Sequence, residues 1–85
     1  MKKIWSKILK DNKIQKDSTL SLEEFSFESL YDYLKKICYN LKIETPIVLP
    51  KHLNQFEEYS MTRFTSSDFI DYIDFDFLQL EYYED

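Results

Sequence analysis

Phe27-Glu28-Ser29-Leu30-Tyr31-Asp32-Tyr33-Leu34-Lys35-Lys36-Ile37-Cys38-Tyr39-Asn40-Leu41 is the stretch that decides the fold. Phe27, Leu30, Tyr31, Leu34, Ile37, Cys38 and Leu41 recur at steps of three and four, which places one apolar stripe along a helix of about four turns. Asp32, Lys35, Lys36 and Asn40 fall on the opposite face. Ser26 stands at the N-cap position, and Lys35, Lys36 and Lys42 lie towards the C-terminal half, where cations suit the helix dipole. A helix with one apolar stripe needs an apolar surface to cover it, and the flanking segments supply strands.

Upstream, Ile4, Ser6 and Ile8 alternate with Lys3, Trp5, Lys7 and Leu9, the two-residue period of a strand. Asp11-Asn12 reads as a tight turn, because Asn accepts positive φ better than other residues that carry a Cβ. A second strand follows through Lys13-Ile14-Gln15-Lys16 towards Thr19, Leu20 and Leu22. Downstream, Thr45-Pro46 ends the regular run. Pro50 opens a short second helix through Tyr59, with Leu53 and Phe56 expected to point inwards. Residues 60 to 68 read as a polar loop. Ile73, Phe75 and Phe77 then alternate with Asp74 and Asp76, and the pattern resumes out of phase at Leu78, Leu80 and Tyr82, which predicts a long last strand with a bulge near Phe77-Leu78. These elements predict a single α+β domain over residues 1–85. Its three-stranded antiparallel sheet, in β-β-α-α-β order, packs on one main amphipathic helix, with Leu30, Leu34, Ile37, Phe75 and Phe77 in the core.

Composition narrows the chemistry. The chain of 85 residues is 44% hydrophobic and contains 7 Phe, 7 Tyr and 1 Trp, enough bulk for one small core. It contains no glycine, and the loops that cradle phosphates or dinucleotides require it. One cysteine, Cys38, and one histidine, His52, provide neither a disulfide nor a Cys/His zinc cluster. Cys38 sits on the apolar stripe, where a small hydrophobe is expected, and His52 reads as solvent-facing or capping. The acids lack EF-hand spacing, and adjacent pairs such as Glu23-Glu24 and Glu57-Glu58 do not face one another across a cleft. The expectation is therefore no catalytic site, no metal and no cofactor. Lys7 and Lys10 interrupt the opening apolar run before it reaches signal-peptide length, and no stretch approaches the roughly 18 residues of a membrane span, which predicts a cytoplasmic protein without a membrane partner.

Charge is segregated along the chain. Lys2, Lys3, Lys7, Lys10, Lys13 and Lys16 crowd the amino-terminal hairpin. Asp68, Asp71, Asp74, Asp76, Glu81, Glu84 and Asp85 fill the carboxyl-terminal segment, where no lysine or arginine follows Phe64. If the last strand pairs with the hairpin, lysines and acids meet across the ladder. If the acids stay exposed, Asp71, Tyr72, Asp74, Asp76, Glu81, Tyr82 and Tyr83 form a row of carboxylates interleaved with aromatics. Such a row imitates nucleic acid and suits a basic groove on a nucleic-acid-handling effector. The net charge of −5 argues against direct binding to nucleic acid. Function is thus expected to be non-enzymatic protein binding: an acidic inhibitor, or an interaction module, including a homodimer, that uses an apolar patch around Trp5 and Leu9.

Thr45-Pro46-Ile47-Val48-Leu49-Pro50-Lys51-His52-Leu53-Asn54-Gln55-Phe56, followed by Thr62-Arg63-Phe64 and Asp68-Phe69, resembles a family of small uncharacterised proteins of anaerobic low-GC bacteria. Those also open with a lysine-rich, Trp-containing hairpin like Lys3-Ile4-Trp5-Ser6-Lys7-Ile8. Val48 departs from the aromatic residue expected in that pattern. In size, acidity and richness in Lys, Asn, Asp, Ile and Tyr the chain also looks like the small anti-CRISPR inhibitors, a likeness of type without a shared motif, and it implies an inhibitory role.

Overall fold

The computed structural model describes residues 1–84; Asp85 lies outside them. Strand β1 (Lys2–Lys10) turns into β2 (Lys13–Leu22), and a 3-10 turn at Phe27–Ser29 leads into helix α1 (Leu30–Leu41). Helix α2 (Pro50–Tyr59), strand β3 (Met61–Phe64), a 3-10 turn at Ser66–Asp68 and strand β4 (Phe77–Glu84) complete the chain. The class is α+β with an antiparallel sheet and two helices. The sheet, however, has four strands rather than three, ordered β2-β1-β4-β3.

The extra strand is β3, in the segment expected to be a polar loop. Thr62 and Phe64 point into the core while Arg63 points out. Thr62 is buried because its hydroxyl donates to Gln55 Oε1 at 2.8 Å, so a polar residue occupies a core position at little cost. The last strand is also shorter than expected. Residues 69–76 are irregular, and the phase slip at Phe77-Leu78 marks where that loop meets β4 rather than a bulge within a strand. The register shift lies instead in the hairpin, between Ile8 and Leu9, opposite Lys16 and Ile14.

The hairpin turn needs two residues at positive φ, and Asp11 (53°) and Asn12 (64°) supply them. Lys42 (60°) ends α1 and Ser60 (58°) ends α2 in the same left-handed conformation, both at places where glycine is usual. Helix α1 starts later than the stripe suggests. Phe27 belongs to the 3-10 turn, Ser26 makes no side-chain capping bond, and Tyr31 is half exposed.

One sheet face carries the core. Ile4 and Ile8 of β1, with Leu78 and Leu80 of β4, pack against Leu30, Leu34, Ile37, Cys38 and Leu41 of α1, and Phe56 of α2 joins them. Phe75 is buried as expected, edge-on to Phe69 at 5.7 Å. Phe77 is not in this cluster: it stands across from Leu9, one residue out of step with Leu78, and so faces the other side of the sheet. Leu53 is likewise partly exposed, and His52 takes the inward place. Among the described residues no helix is long and apolar enough to cross a membrane.

Leu34 is fully buried at the centre of this cluster. Leu34→Ala is expected to cost about 2–5 kcal/mol, read as a lowered urea midpoint at unchanged slope. A variant that unfolds at the parent's midpoint would show that α1 does not pack on the sheet.

Candidate functional site

Cross-strand partners in an antiparallel ladder share a face. The outer face, opposite the one α1 covers, therefore includes Trp5, Lys7 and Leu9 of β1, Phe77, Gln79, Glu81 and Tyr83 of β4, and Met61 and Arg63 of β3. Long cationic side chains lie flat across its aromatics. Lys7 Nζ is 4.0 Å from the centre of the Trp5 ring and 2.7 Å from Glu81 Oε2. The Arg63 guanidinium lies 4.8 Å from the Phe77 ring, and its Nε donates to Gln79 Oε1 at 2.6 Å. The Trp5 indole N–H donates to Asp17 Oδ2 at 3.0 Å. Each stem covers apolar surface; Lys7 meets a carboxylate, and Arg63 an amide oxygen and a ring face. At the β3 side, Tyr59 and Met61 join two adjoining depressions, one reaching Trp5 and Tyr83, the other Lys51 and Phe77.

The residues expected to bind a partner do not form one row. Asp71, Tyr72 and Asp74 are exposed on the 69–76 loop, beside Lys42, Ile43 and Glu44. Asp76 accepts the backbone N–H of Asp11 at 2.9 Å and so pins the hairpin turn. Glu81 lies on the outer face, held by Lys7. Tyr82 points inwards, 4.7 Å from Phe25, and its hydroxyl donates to Glu84 at 2.8 Å; burial, with Glu84 adding to it, pushes that phenol up from its ordinary value. Tyr83 returns to the outer face. Because β4 lies between β1 and β3, its side chains alternate between core and outer face. The loop acids sit at the hairpin-turn end of the molecule, and Tyr82 and Tyr83 at the other.

Sequence reading missed Tyr59, Met61 and Arg63. The alternation of Met61 and Arg63 with Thr62 and Phe64 was the available signal. It also did not bring together a group of carboxylates at the end of the sheet where β1 begins: Glu23 and Glu24 follow the end of β2, Glu28 lies in the turn before α1, and Glu84 stands across from Lys2, with Lys3 beside it. Phe25 joins these segments by its contacts with Phe27, Phe56 and Tyr82.

His52 is buried, not solvent-facing, and it does cap. Leu49, at the N-cap of α2, has no side-chain acceptor, and the His52 Nδ1 accepts its N–H at 2.9 Å. Asp68 performs the same service in the 3-10 turn, where its Oδ2 accepts the Thr65 N–H at 2.9 Å. The two capping side chains then meet, with His52 Nε2 at 3.3 Å from Asp68 Oδ2, an approach too poorly aligned to be a full hydrogen bond. Phe64 packs on the imidazole, ring centres 4.3 Å apart. With Nδ1 accepting, the neutral ring carries its proton on Nε2, towards the carboxylate. Burial lowers the His52 pKa, Asp68 opposes that and Lys51 adds to it. Cys38 is buried on α1, and burial pushes its thiol up to about 12 despite a bond to Thr45, so it stays protonated at neutral pH. Among the described residues no cluster of His, Cys, Asp and Glu is suited to a metal. No family model, curated protein or solved structure matches the chain.

A histidine whose folded pKa is depressed supports stability above its unfolded value and loses that support as pH falls below it. Stability should therefore drop from about pH 6.5 downwards, by at most about 1.4 kcal/mol per pH unit from this group. His52→Asn keeps an acceptor for the Leu49 N–H but does not titrate, and it should lose this part of the slope in urea midpoints measured between pH 7.5 and 5. Identical slopes in the two proteins would remove His52 as the cause.

Proposed function

We propose that the protein is a non-enzymatic binder of another protein and that the outer face of its sheet is the contact surface. The observation that carries this reading is that Trp5, Phe77, Met61, Arg63 and Tyr83 share the sheet face opposite the one on which α1 packs, with two depressions opening at its β3 side. Tryptophan, tyrosine, methionine and arginine are enriched in interface cores, and Arg63 and Lys7 are held in place before any partner arrives, which lowers the ordering cost of association. The buried positions of His52 and Cys38 favour structural duties for both. This is the interaction-module reading, with its apolar patch extended from Trp5 and Leu9 to the β3 edge. A homodimer through this face belongs to the same reading.

The carboxylates at that end favour a second reading, an inhibitor of a basic nucleic-acid-handling effector such as a CRISPR nuclease. Glu23, Glu24, Glu28 and Glu84 belong to the segments that flank the Phe25 aromatic cluster, with Lys2 across from Glu84, in a chain of net charge −5. This group, rather than the row from Asp71 to Tyr83, supplies the carboxylates such an inhibitor needs.

The two readings separate in a pull-down from host lysate. The outer-face reading expects recovery that persists at about 0.5 M salt, where exposed charge pairs are screened, and that fails for Met61→Glu with Tyr83→Glu. It also expects recovery to survive replacement of Glu23, Glu24, Glu28 and Glu84 by Gln. Salt-sensitive recovery of a basic partner, lost in the Gln variant and kept in the outer-face variant, would replace it with the inhibitor reading.

A further inference from the structure

The opposite edge of the sheet presents a different surface. Strand β2 has β1 on one side and no strand on the other, so alternate N–H and C=O groups along its 10 residues point outwards. Among the described residues no backbone hydrogen bond closes that edge. Helix α1 runs alongside it, and between the two lie a pair of adjoining depressions that share Asn40. One is lined by Leu20, Lys35, Lys36 and Tyr39, the other by Lys16, Asp17 and Lys42. Leu20 and the strongly exposed Tyr39 ring, which is 84% accessible, give the groove apolar surface. The rim is cationic. Asp17, the acid in that rim, accepts the Trp5 indole N–H and keeps its charge. Lys16 is drawn across the gap to Leu41 O at 3.5 Å, which places its charge in the groove.

We propose that the β2 edge and this lysine-lined groove accept an extended acidic polypeptide segment, which adds to the sheet as a fifth strand. A free strand edge supplies backbone hydrogen bonds to any extended chain, and the side-chain surroundings set which chain is accepted. Here they favour acids: Lys16 and Lys36 line the groove beside β2, while Lys35 is paired with Asp32 at 3.6 Å and Lys42 also borders Asp71 and Asp74. The same lysines disfavour a second copy, because pairing β2 with its own counterpart brings a second Lys16 and Lys36 into one neighbourhood. An exposed edge guarded by lysine also resists indiscriminate pairing, so acceptance of an acidic strand and rejection of neutral ones follow from one arrangement. This surface lies at the far edge of the sheet from Tyr59 and Met61 and does not depend on the outer-face reading.

The test uses the full chain, labelled with ¹⁵N, and three synthetic peptides of equal length: one alternating valine with glutamate, one alternating valine with lysine, and the acidic one with prolines at alternate positions. The acidic peptide should bind and slow hydrogen exchange at alternate amides of β2, those pointing away from β1. The lysine and proline peptides should not. Lys16→Glu with Lys36→Glu, checked by thermal melting for an intact fold, should weaken the acidic peptide by about tenfold, two exposed charge contacts being removed and reversed. Equal binding of all three peptides, protection at β3 instead of β2, or an unchanged affinity in the double variant would overturn the proposal. So would an oligothymidylate that displaces the acidic peptide from these lysines, or sedimentation showing that the chain dimerises through β2.

Discussion

The pairing of β1 with β4 is the contact on which the architecture depends. It joins Lys2 to Glu84 and Leu9 to Phe77, and it sets both strands in the middle of the sheet. Two ladders then follow, β2 on the outside of β1 and β3 on the outside of β4. The inner face of the central pair, Ile4, Ile8, Leu78 and Leu80, is the surface that α1 needs in order to bury its stripe. Its register is reinforced on the outer face by the Lys7–Glu81 ion pair and at the end by the Asp76 carboxylate on the Asp11 amide. The charge segregation of the sequence is resolved by this ladder in part: Lys7 meets Glu81 and Lys2 stands across from Glu84, while Asp71 and Asp74 stay exposed on the loop.

How much was legible can be judged element by element. The stripe from Leu30 to Leu41, the alternation from Ile4 to Ile8 and the Asp11-Asn12 turn are local patterns, and the structure follows them. Strand β3 was not legible, because Thr62 looks polar until Gln55, seven residues earlier and on α2, is seen to accept its hydroxyl proton. His52 was partly legible. A lone histidine after a proline reads as solvent-facing or capping; the capping holds, and the burial was not foreseeable because Asp68 arrives from a different turn. The candidate surface was half legible. Trp5 and Leu9 share a face by simple alternation, but which residues of β3 and β4 extend it depends on registers that no local pattern encodes.

His52 and Asp68 also connect the two ends of the β3 arm. Each reaches back to satisfy the N-terminal amide of its own short segment, and their approach fixes the start of α2 against the turn after β3. The Ile47 N–H donating to Asp68 O at 2.7 Å adds the preceding linker to the same knot. Strand β3 is therefore held at its Phe64 end by these contacts and at its Met61 end by the Tyr82 N–H donating to Ser60 O at 2.8 Å, which keeps Met61 and Arg63 in place on the outer face even though only four residues pair with β4.

The absence of glycine has an effect on the unfolded chain as well as on the folded one. Asp11, Asn12, Lys42 and Ser60 all adopt left-handed backbone with a Cβ in place. For most L-residues that conformation costs about 1–2 kcal/mol, and for Asn and Asp less. The folded state thus carries some backbone strain at Lys42 and Ser60. A chain with no glycine also begins with fewer backbone conformers to lose, an entropic advantage of about 0.4–1 kcal/mol at each site where a Cβ is tolerated. Strain at a few helix ends is set against a stiffer denatured ensemble along the whole chain, so a small domain can fold with a core of modest size.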